Sequence, residues 1–167
     1  MARNDLTAER LRELLHYDPE TGKFRWVGRP RGRGAKRPDG AVGRITADGR
    51  LSIGVDGFSY LAHRLAWLHV TGEWPKDDID HRDCNPLNNR WNNLRDVPHY
   101  INAQNKRRAH SHNRTGLLVV RKRNGKFFAC IILPGKKQRI GTLRDIPEEA
   151  HADYLAMKSA FHEGYVA

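Results

Sequence analysis

One stretch, residues 80–105, constrains this chain more than any other. It reads Asp80-His81, an asparagine-rich turn, Asn93-Leu94-Arg95, then Pro98-His99-Tyr100-Ile101-Asn102. Histidine titrates near neutrality, so His81 suits general-base duty on a water molecule. Asp80 beside it offers a hard carboxylate oxygen of the kind that Mg²⁺ or Mn²⁺ prefers. On an extended segment adjacent side chains point to opposite faces, so the two can flank one phosphate from two sides. A second oxygen must return from a later element, and Asn102 on the helix started by Pro98 is suited to that. These residue types point to metal-assisted hydrolysis of a phosphodiester.

The spacing narrows the reading. Asn93 lies twelve residues and Asn102 twenty-one residues after His81. With His63-Arg64-Leu65-Ala66-Trp67, Thr71-Gly72-Glu73-Trp74-Pro75 and Asn88-Asn89-Arg90, the pattern resembles the HNH endonucleases. It is most similar to their phage and intron-associated branch, in which an asparagine replaces the last histidine. The resemblance implies a ββα-metal module with Asp80 and Asn102 as metal ligands. It also implies His81 as base and Asn93 as the brace of the loop across the hairpin. A lone Asp-His pair would carry little weight in a chain with nine histidines; the spaced asparagines carry the argument. Lys106, one turn after Asn102, cannot ligate while protonated. One Mg²⁺ or Mn²⁺ ion is therefore expected on two protein ligands, with phosphate and water completing its shell. His99 reads as a structural histidine before a third contact to the ion, and Arg64 either as a phosphate contact or as a brace of the fold.

Thirty Lys plus Arg against nineteen Asp plus Glu give a net charge of +11. A balance this basic favours a polyanionic partner, double-stranded DNA before a membrane. The 167 residues suffice for one or two small domains. Mean hydropathy is −0.76, so any core is modest and divided among small modules. Cys84 and Cys130 stand alone in separate modules, which argues for a reducing compartment and against a structural zinc knuckle. No apolar run approaches a membrane span and no signal-peptide core opens the chain, so the cytoplasm is expected. No obligate protein partner is evident.

In chain order, Thr7 should cap a helix with Leu11, Leu14 and Leu15 on or near one face. A turn over 17–22 leads to a strand, Lys23-Phe24-Arg25-Trp26. Residues 28–43 carry Arg29, Arg31, Arg33, Lys36 and Arg37 among glycines and prolines, and read as a mobile basic loop along duplex phosphates. Residues 50–60 read as a hairpin turning at Asp56-Gly57, feeding a helix over 61–70 in which Leu65, Leu68 and Trp67 pack. The catalytic hairpin arms are expected over 79–82 and 93–95. Asp96 should cap the next helix, with Pro98 in its first turn. Lys106, Arg107 and Arg108 end that helix with charge able to hold DNA backbone.

A second block follows. Strands over 116–121, 126–133 and 136–142, with turns at Asn124-Gly125 and Pro134-Gly135, should form a three-stranded meander. A helix begins near Pro147, with Ala150, Tyr154, Met157 and Phe161 on one stripe. Gly125-Lys126-Phe127, Ala129, Ile131, Gly141-Thr142, Glu148-Glu149-Ala150 and Tyr154 resemble the AP2 DNA-binding domain. That resemblance implies one sheet face on DNA and the other on the helix. Strand parity puts Val120, Phe127, Ala129, Ile131 and Ile140 on the helix side. Arg121, Arg123, Cys130, Ile132, Lys137 and Arg139 fall on the DNA side. Leu117-Leu118, Cys130 and Ile132 depart from the family pattern. The expected chain is α+β: a nuclease domain over 1–109, with a lead-in over 1–60 and the catalytic module over 79–109. A linker at 110–113 and an AP2-like domain over 114–167 complete it. Its expected activity is that of a homing-type DNA endonuclease, nicking or cutting both strands. The alternative is a DNA-binding regulatory or architectural protein whose nuclease site is idle.

Overall fold

Thr7 opens the first helix, its side-chain oxygen accepting the Arg10 N–H at 3.2 Å, and α1 runs Ala8–Leu14. The structure is a computed structural model and describes residues 5–28, 42–105, 115–132 and 139–162. Helical periodicity assigns Leu15 to α1, but the chain turns there into β1 (Leu15–Asp18). Leu15 and Tyr17 point inward and His16 outward, a period of two that only a strand provides. β1 pairs antiparallel with β2 (Lys23–Trp26). Next comes a three-stranded sheet of β3 (Arg44–Ile45), β4 (Leu51–Val55) and β5 (Phe58–Leu61). Its β4–β5 turn is the expected Asp56-Gly57, with φ of 48° and 84°, the left-handed pair that matches strand twist.

β5 runs into α2 (Ala62–Thr71), which buries Ala62, His63, Leu65, Ala66 and Leu68 on one face. The helix closes at Gly72, whose N–H reaches the Leu68 carbonyl at 3.0 Å. Leu11, Leu15, Ile53, Val55 and Leu65 meet in the core of this part of the chain. Each such side chain removed from water contributes roughly 1.5–3 kcal/mol. β6 (Asp78–His81) and β7 (Leu94–Val97) then form the next hairpin, with a 3₁₀ turn at Trp91–Asn93 between them. α3 (His99–Gln104) follows directly. Asp96 does not cap it: the residue lies in β7, and its carboxylate accepts the N–H groups of Lys76 and Asp77 at 2.8 and 2.9 Å. Two backbone donors ahead of β6 have claimed the carboxylate that the cap would need.

The chain divides into two compact units, Met1–His99 and Tyr100–Ala167. The second has its own core of Leu118, Val120, Ala129, Ile131, Ala150 and Tyr154. β8 (Arg121–Arg123), β9 (Lys126–Phe128) and β12 (Leu143–Arg144) form one sheet in the order β12-β9-β8. β10 (Ile131–Ile132) pairs with β11 (Arg139–Ile140). α4 runs Pro147–Phe161.

Three sequence expectations are corrected in this unit. The first strand starts at Arg121 rather than 116, because Thr115 Oγ1 accepts the Leu117 N–H and donates to the Val120 carbonyl, both at 3.3 Å. Such local bonds compete with a ladder, and Val119 sits at a left-handed φ of 65°. The second strand is interrupted between Phe128 and Ile131 and the third between Ile140 and Leu143, where Gly141 passes too close to the Ala129 carbonyl for any Cβ to fit. Finally, Phe161 is exposed, so the buried stripe of α4 does not reach it. Most of the basic loop (29–41), Lys106, Arg107, Arg108, the linker at 110–113, the Pro134-Gly135 turn and Lys137 lie outside the described residues.

Gly22 is the tightest point of the first hairpin. Its φ is +70°, and a Cβ there would stand 2.5 Å from the backbone of Asn89 and Arg90. Gly22→Ala is expected to cost about 2 kcal/mol or more in urea unfolding, from strain and overlap together. An unchanged unfolding midpoint would show that this hairpin is not seated on the 89–90 backbone.

Candidate active site

Antiparallel pairing sets Asp80 directly opposite Arg95 and His81 opposite Leu94. Side chains of such pairs stand side by side on one face, so opposite charges find each other. Arg95 Nε and Nη2 both reach Asp80 Oδ2, at 2.8 and 2.6 Å. The pair is largely shielded, with 15% of the arginine side chain and 6% of the aspartate side chain exposed.

His81 ends β6 and is buried. Its Nε2 lies 3.3 Å from Asn89 Oδ1. The asparagine amide faces Leu87 with its other end, Nδ2 standing 3.4 Å from the carbonyl, so Oδ1 is the atom turned to the ring. The Asn89 side chain thus holds the His81 ring in one orientation. Beside it, the His63 ring stands edge-on, 5.1 Å away at 84°. Burial pushes His81 below the ordinary histidine range, offset in part by the Asn89 bond and by the carboxylates of Asp83 and Asp80. Burial also pushes His63 down to about 3, helped by His81, Arg50 and Arg64. His63 Nδ1 is buried with no hydrogen-bond partner. His81 therefore sits against a second neutral ring.

Asn93 organises the loop between the strands. Its Nδ2 donates to Asp83 Oδ1 at 2.9 Å and to the Asn88 carbonyl at 2.8 Å, and its Oδ1 accepts the Asp83 N–H at 3.1 Å. Asp83 accepts further bonds from the Asn85 N–H and from Asn88 Nδ2. Partial burial acts to raise the Asp83 pKa, but the bonds from Asn88, Asn85 and Asn93 prevail and hold it below the usual carboxylate range. The first hairpin supports the loop from outside. The buried Tyr17 hydroxyl donates to the Asn89 carbonyl at 2.7 Å, and the Trp91 N–H reaches the Pro19 carbonyl at 3.0 Å.

Other residues singled out in the sequence have surroundings of their own. Arg64 donates to the Asp77 carbonyl at 3.4 Å and lies 5.7 Å over the Trp74 ring, the position of a brace. His99 Nδ1 pairs with Asp78 Oδ2 at 2.7 Å and is otherwise exposed. Asn102 stands half-buried on α3, within the second unit. Arg121 and Arg123 are exposed on β8. Arg139 falls in β11, its side chain outside the described residues. Residues without an assigned role in the sequence reading are Arg95, Asn89, His63, Tyr17 and Asp83. Arg95 had a signal, since folding the hairpin about its centre aligns it with Asp80. Tyr17 had none, being 72 positions from the Asn89 carbonyl it meets.

Among the described residues no three His, Cys, Asp or Glu side chains cluster as a metal cage. The donor in this hairpin is one shielded carboxylate, that of Asp80. That suits a hard ion, which binds through one or two protein oxygens and fills its shell with phosphate and water.

Residues 60–104 match the family model described as HNH endonuclease, a span that takes in α2, the β6–β7 hairpin and α3. The match supports an HNH nuclease domain there. No curated protein and no solved structure matched the chain.

Two measurements follow from this geometry. Asn93→Ala leaves the Asp83 N–H and the Asn88 carbonyl short of a partner, and is expected to cost roughly 1–3 kcal/mol in chemical unfolding. A variant as stable as the parent would remove Asn93 from its bracing role. The second concerns His63, which protonates near 6.5 when unfolded but only near 3 when folded. Between those values the unfolded chain binds more protons, so this contribution is full above about 6.5 and is lost as pH falls toward 3. Its slope approaches ~1.4 kcal/mol per pH unit. Unfolding at pH 7 and pH 5, compared between the parent and His63→Gln, checks this; equal slopes would contradict it.

Proposed function

We propose that this chain is a divalent-metal-dependent DNA endonuclease of the homing type, acting on double-stranded DNA in the cytoplasm. His81 is its general base, and Asp80 and Asn102 hold the ion. One observation carries the reading: a buried, neutral histidine whose ring is clamped through Nε2, next to a shielded carboxylate. The residues concerned fall within the segment that matches the HNH endonuclease family. Bound Mg²⁺ or Mn²⁺ would supply charge stabilisation for the phosphorane and the leaving 3′ oxygen. The rest is done by the chain's own residues. His81 takes a proton from the attacking water, and the Asn89 side chain, 3.3 Å from its Nε2, steadies the ring. A pKa held below the ordinary histidine range keeps that ring unprotonated at neutral pH. Asn93 holds the loop that delivers Asn89.

The second unit is proposed as an AP2-like DNA-binding module. Arg121 and Arg123 alternate with Lys122 along β8, and Lys122 lies 5.2 Å over the Phe127 ring. The two arginines therefore share the opposite face. Lys106, Arg107, Lys137 and Arg139 are the further contacts proposed from the sequence. Contacts of this kind go mainly to phosphate and position the duplex rather than read it.

Plasmid cleavage with Mg²⁺ and with EDTA tests the activity. His81→Ala is expected to lose about two to four orders of magnitude in rate with DNA affinity within a few-fold of the parent. Near-parental cleavage in that variant would sink the assignment. Arg121→Ala with Arg123→Ala should flatten the plot of log affinity against log salt by up to about two units. An unchanged slope would take this sheet face out of the DNA path.

A further inference from the structure

We infer that Arg95 is an electrostatic latch on Asp80, coupling uptake of the divalent ion to the arrival of a phosphodiester. The inference rests on the proposed nuclease reading and concerns a residue to which that reading gives no part. Arg95 faces Asp80 across the β6–β7 ladder, and two of its guanidinium nitrogens converge on one carboxylate oxygen at 2.8 and 2.6 Å. Both side chains are largely out of water, where charge is poorly screened. A divalent ion approaching Asp80 therefore meets a carboxylate already neutralised, with a fixed positive charge against it. Two cations on one carboxylate repel. A phosphodiester adds the negative charge that offsets this repulsion. The ion alone thus binds weakly, and ion with DNA binds well. Because coupling between two ligands is reciprocal, the ion must strengthen DNA binding by the same factor. Arg95 acts through Asp80 and is a positioning residue. A purely structural pair would predict no such coupling.

The test measures Mn²⁺ affinity of the full chain in a His81→Ala background, with and without a short duplex that stays intact. The duplex is expected to tighten Mn²⁺ binding by about tenfold or more. Arg95→Gln removes the charge yet can still donate to Asp80. Without DNA it should bind Mn²⁺ about tenfold more tightly than the His81→Ala background, and its gain on adding DNA should shrink. Arg95→Lys keeps the charge and should behave like that background. The general attraction of DNA for cations is common to all of these, so the difference between variants is the readout. If Arg95→Gln has the background's Mn²⁺ affinity and coupling, the latch is overturned. Should Arg95→Gln not fold, the Arg95 Nε–H resonance, identified by its loss in Arg95→Lys, decides. It should hold its position with Mg²⁺ alone and shift when Mg²⁺ and duplex are both present; a shift with Mg²⁺ alone overturns the latch. A parent that cuts DNA while Arg95→Gln leaves Mn²⁺ binding unaltered loses only the latch. A parent that neither cuts DNA nor binds Mn²⁺ loses the nuclease reading, and the latch with it.

Discussion

The side-chain amide of Asn93 is the contact on which the site depends. It must donate and accept at once, to the Asn88 carbonyl and from the Asp83 N–H, while its own backbone carbonyl takes the Arg82 N–H at 2.9 Å. Aspartate could not donate there, and leucine could do neither. Ordering a loop costs about 1–2 kcal/mol per residue in backbone entropy, so a loop without a core of its own needs such bonds to keep one shape. The shape matters because the loop carries Asn89 to His81. From the other side, Tyr17 and Pro19 hold the same segment, with Gly22 packed against its backbone. The N-terminal hairpin therefore serves the site although it contributes no reacting group.

Adjacent residues of β6 receive opposite treatment. Asp80 meets a full positive charge on its strand neighbour, whereas His81 meets a neutral amide and a second buried ring. The period of two in a strand makes this possible, since neighbours along the chain look into different surroundings. In the proposed reading this lets Asp80 hold the ion under the control of Arg95 while His81 stays unprotonated before the reaction begins.

Much of this was legible in the sequence because it is local. The Thr7 cap, the Asp56-Gly57 turn, α2 and α4 all follow from capping, turn chemistry and periodicity, each decided within a few residues. Asp80, His81, Asn93 and Asn102 stood out through residue type and spacing. Competition between distant partners was not legible. Asp96 reads as a helix cap until the chain folds and the Lys76 and Asp77 N–H groups reach it. Residues 116–120 read as strand until Thr115 bonds across them. His63 reads as part of a helical motif, and only the packing of α2 reveals that its ring lies against His81. At Asp96 and His63 a tertiary partner decided the outcome, and at 116–120 a rival local bond did.

The charge of the chain bears on the chemistry as well as on binding. A net charge of +11 raises the local concentration of a polyanion. The same positive field acts on the histidines: Arg50 lowers the pKa of both His81 and His63, and Arg64 lowers that of His63. A bound duplex opposes this, because phosphate charge favours protonation of any nearby ring. Burial is the larger cause at both residues. It does not depend on salt or on the charge of the partner. A base that relied on neighbouring arginines alone would lose its neutrality when DNA arrived. Seating His81 in the fold, against a ring that is itself held neutral, keeps the proposed base unprotonated by a cause that the charge of DNA does not remove.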